Sequence, residues 1–172
     1  MAGKVSNRVI SLALCNVQSS SNPMSAATMT PTPIARLLDS PAVNVFARVL
    51  LTFMYWGSGL SKLIDFQGGV GEMAHFGLEP AWLFNVLTLV VQLVGSLMII
   101  FNRYAWLGAG ALAVFTIATI PVAHAFWMMP QPAATLEMYV VIEHITVLGG
   151  LLMAAILAQR STRGGALPGR TA

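Results

Sequence analysis

The chain has 172 residues, of which 56% are hydrophobic and 9% are charged, and its formal net charge is +3. Because soluble domains carry about 25% charged residues, so few charges cannot cover a water-facing surface of this size. The composition excludes an ordinary soluble enzyme and a disordered protein, and it argues against nucleic-acid binding. The lone cysteine, Cys15, excludes a disulfide framework and a thiolate zinc site within the chain. We therefore predict an integral membrane protein that lies in a lipid bilayer.

The first 41 residues differ from the rest, and we predict that they form a disordered cytoplasmic arm. The stretch 19–33 is rich in Ser, Thr and Pro and has no apolar period. The apolar stretch 9–14 is too short for the core of a signal peptide. The start codon encodes either Met1 or Met24, since the apolar part of the chain needs nothing upstream of Met24.

Four apolar runs are long enough to cross a hydrocarbon core of about 30 Å, which takes roughly 20 helical residues. Backbone groups in lipid must pair internally, so runs of this length are predicted to be helices. Short connections favour antiparallel neighbours, and the predicted fold is an all-α, up-down four-helix bundle over residues 42–158. A cytoplasmic tail follows at 159–172. The predicted spans are 42–64, 81–101, 104–128 and 137–158.

The distribution of Lys and Arg predicts the orientation of these spans. The connections 65–80 and 129–136 contain no Lys or Arg. Basic residues instead lie before the first span, in the turn after the second (Arg103) and in the tail after the fourth. Since cytoplasmic loops carry the excess of basic residues, we predict a multi-pass protein of a bacterial inner membrane with both termini in the cytoplasm.

Small residues in the spans are predicted to mark the helix contacts, because close approach supplies packing energy in lipid. They occur singly or in pairs on all four spans. The candidates are Gly57 with Ser61, Gly95 with Ser96, Gly108, and Gly150 with Ala154.

Ionisable side chains inside the spans are the candidates for function, since a charge at the bilayer centre costs at least about 2.5 kcal/mol. Glu143 and His144 lie about 10 Å below the outer surface, at 1.5 Å per residue. His124 lies at a similar depth in the third span, and Lys62 ends the first span, three residues before Asp65, its expected ion-pair partner. The candidate catalytic residues are Glu143, His144, His124 and Lys62. The protonation state of Glu143 stays open.

Several ligands suit such a group in the outer half of an antiparallel bundle. A quinone head group would be lined by His124, Trp127, Tyr139 and Glu143. A haem between two histidines is less favoured, because nothing specifies the glycine clearance that it needs. A metal on His124, Glu143 and His144 is chemically allowed, but adjacent residues point about 100° apart on a helix, and no metal site is assigned. The structural alternative is a hydrogen-bonded polar cluster that fixes helix packing.

Short motifs between residues 47 and 158 share one order and spacing with a known family. Together they resemble the DoxX family of small four-helix inner-membrane proteins. The motifs are Arg48 with the Val-Leu-Leu that follows it, Trp56–Lys62, Phe76–Pro80, Gln92–Ser96, His124–Phe126 and Leu148–Leu152.

The resemblance implies a membrane subunit of, or an accessory to, a quinone-linked redox system. Family members are linked to a thiosulfate:quinone oxidoreductase and to oxidoreductase complexes of oxidative-stress defence. The resemblance therefore implies a quinone as ligand, with either a partner redox subunit or a homo-oligomer. Whether the chain is itself an enzyme, and on which substrate, is left open.

Two departures from the family pattern argue against copying a substrate from another member. Gln92 stands where the second helix of the family carries Glu, which removes a titratable group. Glu143 and His144 stand where Lys-Asn often precedes Gly-Gly, which inverts the local charge. The alternative functions are a small transporter or permeability factor for a weak acid or metabolite, and a non-catalytic scaffold for a partner enzyme.

Overall fold

The computed structural model describes residues 30–164, and all of its regular structure there is helical. The chain divides into two compact units, residues 1–38 and residues 39–172. The described part of the first unit holds a short helix, α1 (Thr32–Leu38). This helix falls in the arm that was expected to be disordered, so the arm is not irregular throughout. The remainder of the arm, including Cys15 and Met24, lies outside the described residues.

Three helices of the second unit are long and apolar enough to cross a membrane. Their ranges confirm the predicted second, third and fourth spans as membrane-length helices. The last one begins before its predicted start and runs beyond its predicted end at 158. The three are α5 (Ala81–Ile100), α6 (Ala105–Ala123), which a 3-10 turn follows at Phe126–Met128, and α7 (Ala133–Gly164).

Shorter helices precede these three. They are α2 (Pro41–Leu51), α3 (Phe53–Ile64) and α4 (Phe66–His75). The first two replace the single helix predicted at 42–64, and α4 occupies a stretch that was predicted to be a loop.

Thr52 separates α2 from α3 because its side chain competes for backbone carbonyls. The Thr52 hydroxyl donates to the Arg48 carbonyl at 2.8 Å and lies 3.4 Å from that of Val49. The Trp56 indole N–H also donates to the Val49 carbonyl, at 3.2 Å. Such back-bonding bends helices, and Thr52 is fully buried at the bend.

Helices α5 and α6 approach each other closely at two glycines. A Cβ on Gly108 would lie 2.7 Å from the Gly95 carbonyl oxygen and 2.8 Å from the Met98 Cβ. A Cβ on Gly95 would lie 2.9 Å from the Leu112 Cγ. The prediction that these two glycines mark a helix contact is therefore confirmed.

The other small residues divide into two groups. A Cβ on Gly150 would meet the Leu51 side chain at 2.6 Å, so Gly150 also lies at a helix contact. A Cβ on Gly57 would meet nothing within 4 Å, so Gly57 does not. The core beside these contacts is formed by side chains from α3, α5, α6 and α7, namely Tyr55, Ile99, Ala109, Leu112 and Leu151.

We expect Gly108→Ala to lower the free energy of unfolding by about 1–3 kcal/mol, because the added methyl group meets backbone that cannot rotate away. The matched control is Gly110→Ala on the same helix, where a Cβ meets nothing within 4 Å. This control should leave stability unchanged or raise it slightly, since Ala favours helix more than Gly. Unfolding by SDS in mixed micelles measures both, and an equal loss in the two variants would contradict the close crossing.

Candidate functional site

A cavity of about 550 Å³ lies between α3, α4, α5 and α6, with one side chain from α7. Its volume falls in the range of small-molecule sites, roughly 300–1,000 Å³. Most of its wall is apolar, and its apolar side chains include Met54, Phe76, Phe84, Leu87, Val91 and Phe115. A small number of polar groups interrupt this wall at the rim, in the middle and at the floor.

An ion pair lies at the rim. The Lys62 Nζ is 2.8 Å from the Glu72 Oε2, with side-chain exposures of 13% and 44%. Lys62 also donates to the Ser58 hydroxyl at 3.3 Å. The predicted partner, Asp65, instead accepts from the Gly68 N–H at 2.9 Å and caps the start of α4. The expectation of a Lys62–Asp65 pair is therefore wrong. Asp65 caps the N-terminus of α4, and Glu72 on the same helix pairs with Lys62 instead.

Two histidines meet at the same end of the cavity. The rings of His124 and His144 have centroids 4.8 Å apart. The His144 Nδ1 donates to the Val140 carbonyl at 2.7 Å, since a carbonyl can only accept. The His124 Nδ1 faces the Glu137 carboxylate at 2.7 Å. Each Nδ1 is therefore engaged, and each Nε2 is left to interact with a ligand.

The middle of the cavity holds a buried amide with an unmatched oxygen. Gln92 is 5% exposed, and its Nε2 donates to the Ser58 hydroxyl oxygen at 3.4 Å. The Gln92 Oε1 has no hydrogen-bond partner among the described residues. Because Ser58 accepts from both Lys62 and Gln92, its own hydrogen remains to be donated. Buried polar atoms are usually paired, so these two atoms suit the polar groups of a ligand.

The floor of the cavity is a closed hydrogen-bond chain. The Thr116 hydroxyl donates to the Leu112 carbonyl at 2.8 Å, so it must accept from the Tyr55 hydroxyl, which lies 2.5 Å away. Both side chains are 1% exposed. Tyr55 lies seven residues before Lys62, which places the floor about 10 Å below the rim at 1.5 Å per residue. The polar floor therefore satisfies itself and closes the cavity.

The structure brings together three of the predicted site residues. His124, His144 and Lys62 line the cavity, whereas Glu143 is exposed on the outer side of α7. The carboxylate that contacts His124 is Glu137. Two aromatic residues expected to line a quinone site also face outward, at 57% exposure each, namely Trp127 and Tyr139.

Helix register explains why Glu137 takes the place expected for Glu143. His144 is seven positions after Glu137, which is almost two full turns, so they share a face. Glu143 points about 100° away from His144. The heptad spacing could have identified Glu137 from the sequence, but Glu72 had no comparable signal because α4 was not predicted.

Comparisons with known proteins support the membrane assignment. The profile of the DoxX family matches residues 43–125, which contain every polar residue that lines the cavity except His144. The chain is 22% identical over 116 residues to the inner membrane protein YphA of Escherichia coli (strain K12), which covers 67% of this chain and 83% of that protein. No solved structure matches the chain. The resemblance found in the sequence is thereby confirmed, and residues 43–125 of this membrane protein match the DoxX family.

Proposed function

We propose that this protein is a membrane subunit of a quinone-linked redox system and that its cavity holds the quinone head group. The observation that carries the proposal is the pair of histidines, His124 and His144, which contact each other in an apolar cavity and keep both Nε2 atoms for a ligand. Small-molecule sites are typically apolar with a few polar groups that fix orientation. This cavity fits that description.

The polar groups of the cavity suit a neutral ring with an oxygen at each end. Carbonyl oxygens only accept hydrogen bonds. Lys62 and the Ser58 hydroxyl supply donors on α3, and His124, directly after α6, supplies a donor whenever its Nε2 is protonated. The wall between these donors is apolar, and the cavity volume is large enough for an aromatic ring.

A carboxylate lies beside each of two basic groups of the cavity. When bound, a quinone would supply a carrier for two electrons and two protons. Glu137 lies 2.7 Å from the His124 Nδ1 and engages that ring nitrogen, which leaves the His124 Nε2 for the ligand. Glu72 lies 2.8 Å from the Lys62 Nζ. The electrons come from a partner subunit, and the substrate of that partner is unassigned.

The geometry of the histidines argues against a haem between them. The two rings contact each other at 4.8 Å with an interplanar angle of 58°. A macrocycle coordinated from both sides must separate its two axial rings, and rings in contact leave no space for it. Glu143 has no part in the quinone site, because its side chain lies outside the cavity.

We also propose that α2 and α3 cross the membrane as one interrupted helix. They are joined only by Thr52, and together they are long enough to span the hydrocarbon core. With α5, α6 and α7 they make a four-helix bundle with both termini cytoplasmic, in agreement with the positions of Lys and Arg. The inner membrane is the proposed location, as it is for YphA.

We expect His124→Gln to weaken quinone binding by about 10- to 100-fold, and His144→Gln to weaken it less, because a neutral His144 ring that donates from Nδ1 can only accept at Nε2. The estimate is the worth of a hydrogen bond to a charged or buried partner, about 1.5–3 kcal/mol. The measurement is titration of the protein in lipid nanodiscs with a short-tailed ubiquinone analogue. The matched control is His75→Gln, since His75 is exposed on α4 and does not line the cavity. Binding that is absent in the parent protein, or equally weakened in all three variants, would contradict the proposal.

Lys62→Met tests the rim separately. Loss of the Lys62 ammonium group removes a hydrogen-bond donor to Ser58 and leaves Glu72 without its ion-pair partner. We expect affinity for the same analogue to fall by about tenfold. Lys62→Arg keeps the positive charge and should retain affinity better than Lys62→Met, whereas equal losses would show that the charge has no role.

Single cysteines in a Cys15→Ser background test the orientation. We expect Gln67→Cys, on α4, to react with a membrane-impermeant maleimide on intact spheroplasts. Asp39→Cys and Asn102→Cys should react only after the membrane is permeabilised, because the positive-inside distribution places both in the cytoplasm. All three positions are exposed in the structure. Labelling of both Asp39→Cys and Gln67→Cys from outside would mean that α2 and α3 do not cross, and labelling of Asp39→Cys alone would mean the inverted orientation.

A further inference from the structure

One face of α7 carries residues, most of them polar or small, that are not packed against the rest of the described chain. Tyr139, Glu143, Thr146, Gly149 and Met153 are all exposed. Their spacing of three or four residues places them on one stripe of the helix. Only 17% of the membrane-length window of α7 is buried, against 33% for α5 and 28% for α6. The stripe therefore lies on the least covered membrane-length helix.

Glu143 is the residue on this stripe that lipid tolerates least. It lies ten residues after the start of α7 at Ala133, which is about 15 Å along the helix at 1.5 Å per residue. Its carboxyl group has no hydrogen-bond or ion-pair partner among the described residues. Ionisable residues inside membranes nearly always face protein or a water-filled cavity and have a partner. Glu143 therefore needs a partner on another chain.

Gly149 supports the same conclusion independently. A Cβ at Gly149 would meet nothing within 4 Å, whereas a Cβ at Gly150 would meet the Leu51 side chain at 2.6 Å. Packing within the chain therefore explains Gly150 and not Gly149. Glycine is unfavourable inside a helix, and its usual benefit in a membrane is that a second helix can approach closely.

We propose that this stripe, from Tyr139 to Met153, is the interface at which a second copy of the protein docks. Every copy inserts with the same orientation, so two α7 helices meet in parallel around a two-fold axis. A two-fold interface requires a self-complementary surface. The stripe has one, because the Tyr139 hydroxyl can donate and the Glu143 carboxylate one turn away can accept.

The Glu143 carboxyl group leans toward the N-terminus of its helix, which is the direction of Tyr139 on the facing copy, and Tyr139 must turn its ring toward the C-terminus to meet it. The Thr146 hydroxyl already donates to the Ile142 carbonyl at 3.0 Å, so it presents no unmatched donor to the partner. The interface does not depend on the quinone proposal, because none of its residues lines the cavity.

Disulfide trapping tests the interface directly. In the Cys15→Ser background, we expect Gly149→Cys to form a covalent dimer when native membranes are oxidised. Val114→Cys is the matched control, since Val114 is 69% exposed in the middle of α6 and should remain monomeric. Equal crosslinking of both variants, or capture of a different protein at Gly149→Cys, would overturn the proposal.

Dimer affinity tests the role of the carboxyl group. Energy transfer between labelled copies in vesicles of decreasing protein density gives the dimer dissociation constant. We expect Glu143→Leu to raise it about tenfold or more, because two symmetric hydrogen bonds are lost. Glu143→Gln retains an acceptor and should stay within a few-fold of the parent protein. Circular dichroism checks that each variant is helical, and a dimer unaffected by Glu143→Leu would overturn the assigned contact.

Discussion

Lipid offers no hydrogen bonds, so each polar group within the membrane-spanning part of this chain must be paired by the protein itself. Most of them are. The Thr52 hydroxyl donates to the Arg48 carbonyl of the preceding helix. The Tyr55 hydroxyl donates to Thr116, which donates to the Leu112 carbonyl. Glu137 pairs with His124. The helix packing described above depends on this internal pairing, because no unpaired polar atom could be buried cheaply beside it.

Among the described residues, the buried side-chain atoms without a partner are two amide oxygens of α5, the Asn85 Oδ1 and the Gln92 Oε1, and Gln92 lines the cavity. On the inner side of α7, His144 lines the same cavity and bonds to the Val140 carbonyl through its Nδ1. On the outer side, Glu143 faces away from the bundle. One turn of α7 therefore carries both a ligand-facing group and a partner-facing group. The two proposals use different faces of the same helix.

The sequence predicts the membrane-length helices well because apolar length alone identifies them. It predicts local details poorly where a single side chain changes the backbone. At the break beside Thr52, the Thr52 hydroxyl and the Trp56 indole N–H both bond to backbone carbonyls, and hydropathy does not register either contact. Helix α4 begins where the Asp65 side chain accepts a hydrogen bond from a backbone N–H. The glycines that follow Asp65 favour the prediction of a loop, so this helix start is not evident from the sequence.

The sequence predicts the two histidines and the lysine that line the cavity, but their carboxylate partners are absent from the prediction. His124, His144 and Lys62 stand out because charge or imidazole is rare inside apolar runs. Of their partners, Glu137 has a heptad spacing with His144 that could have identified it, whereas Glu72 lies on a helix, α4, whose limits the sequence does not give. The predicted start of the fourth span at 137 placed Glu137 at the membrane surface, whereas α7 begins one turn earlier, at Ala133.

The charge balance of the cavity decides which kinds of ligand it favours. Each basic group at the rim has its own carboxylate, Lys62 with Glu72 and His124 with Glu137. Deeper in, Gln92 is a neutral amide. Both basic groups are already paired with carboxylates, so neither is available to neutralise an anionic metabolite. An anion would also lose its hydration on entering the cavity. A neutral ring with oxygen substituents loses little hydration and gains the donors of Lys62 and His124, so the balance of charge favours a quinone over the transport of a weak acid.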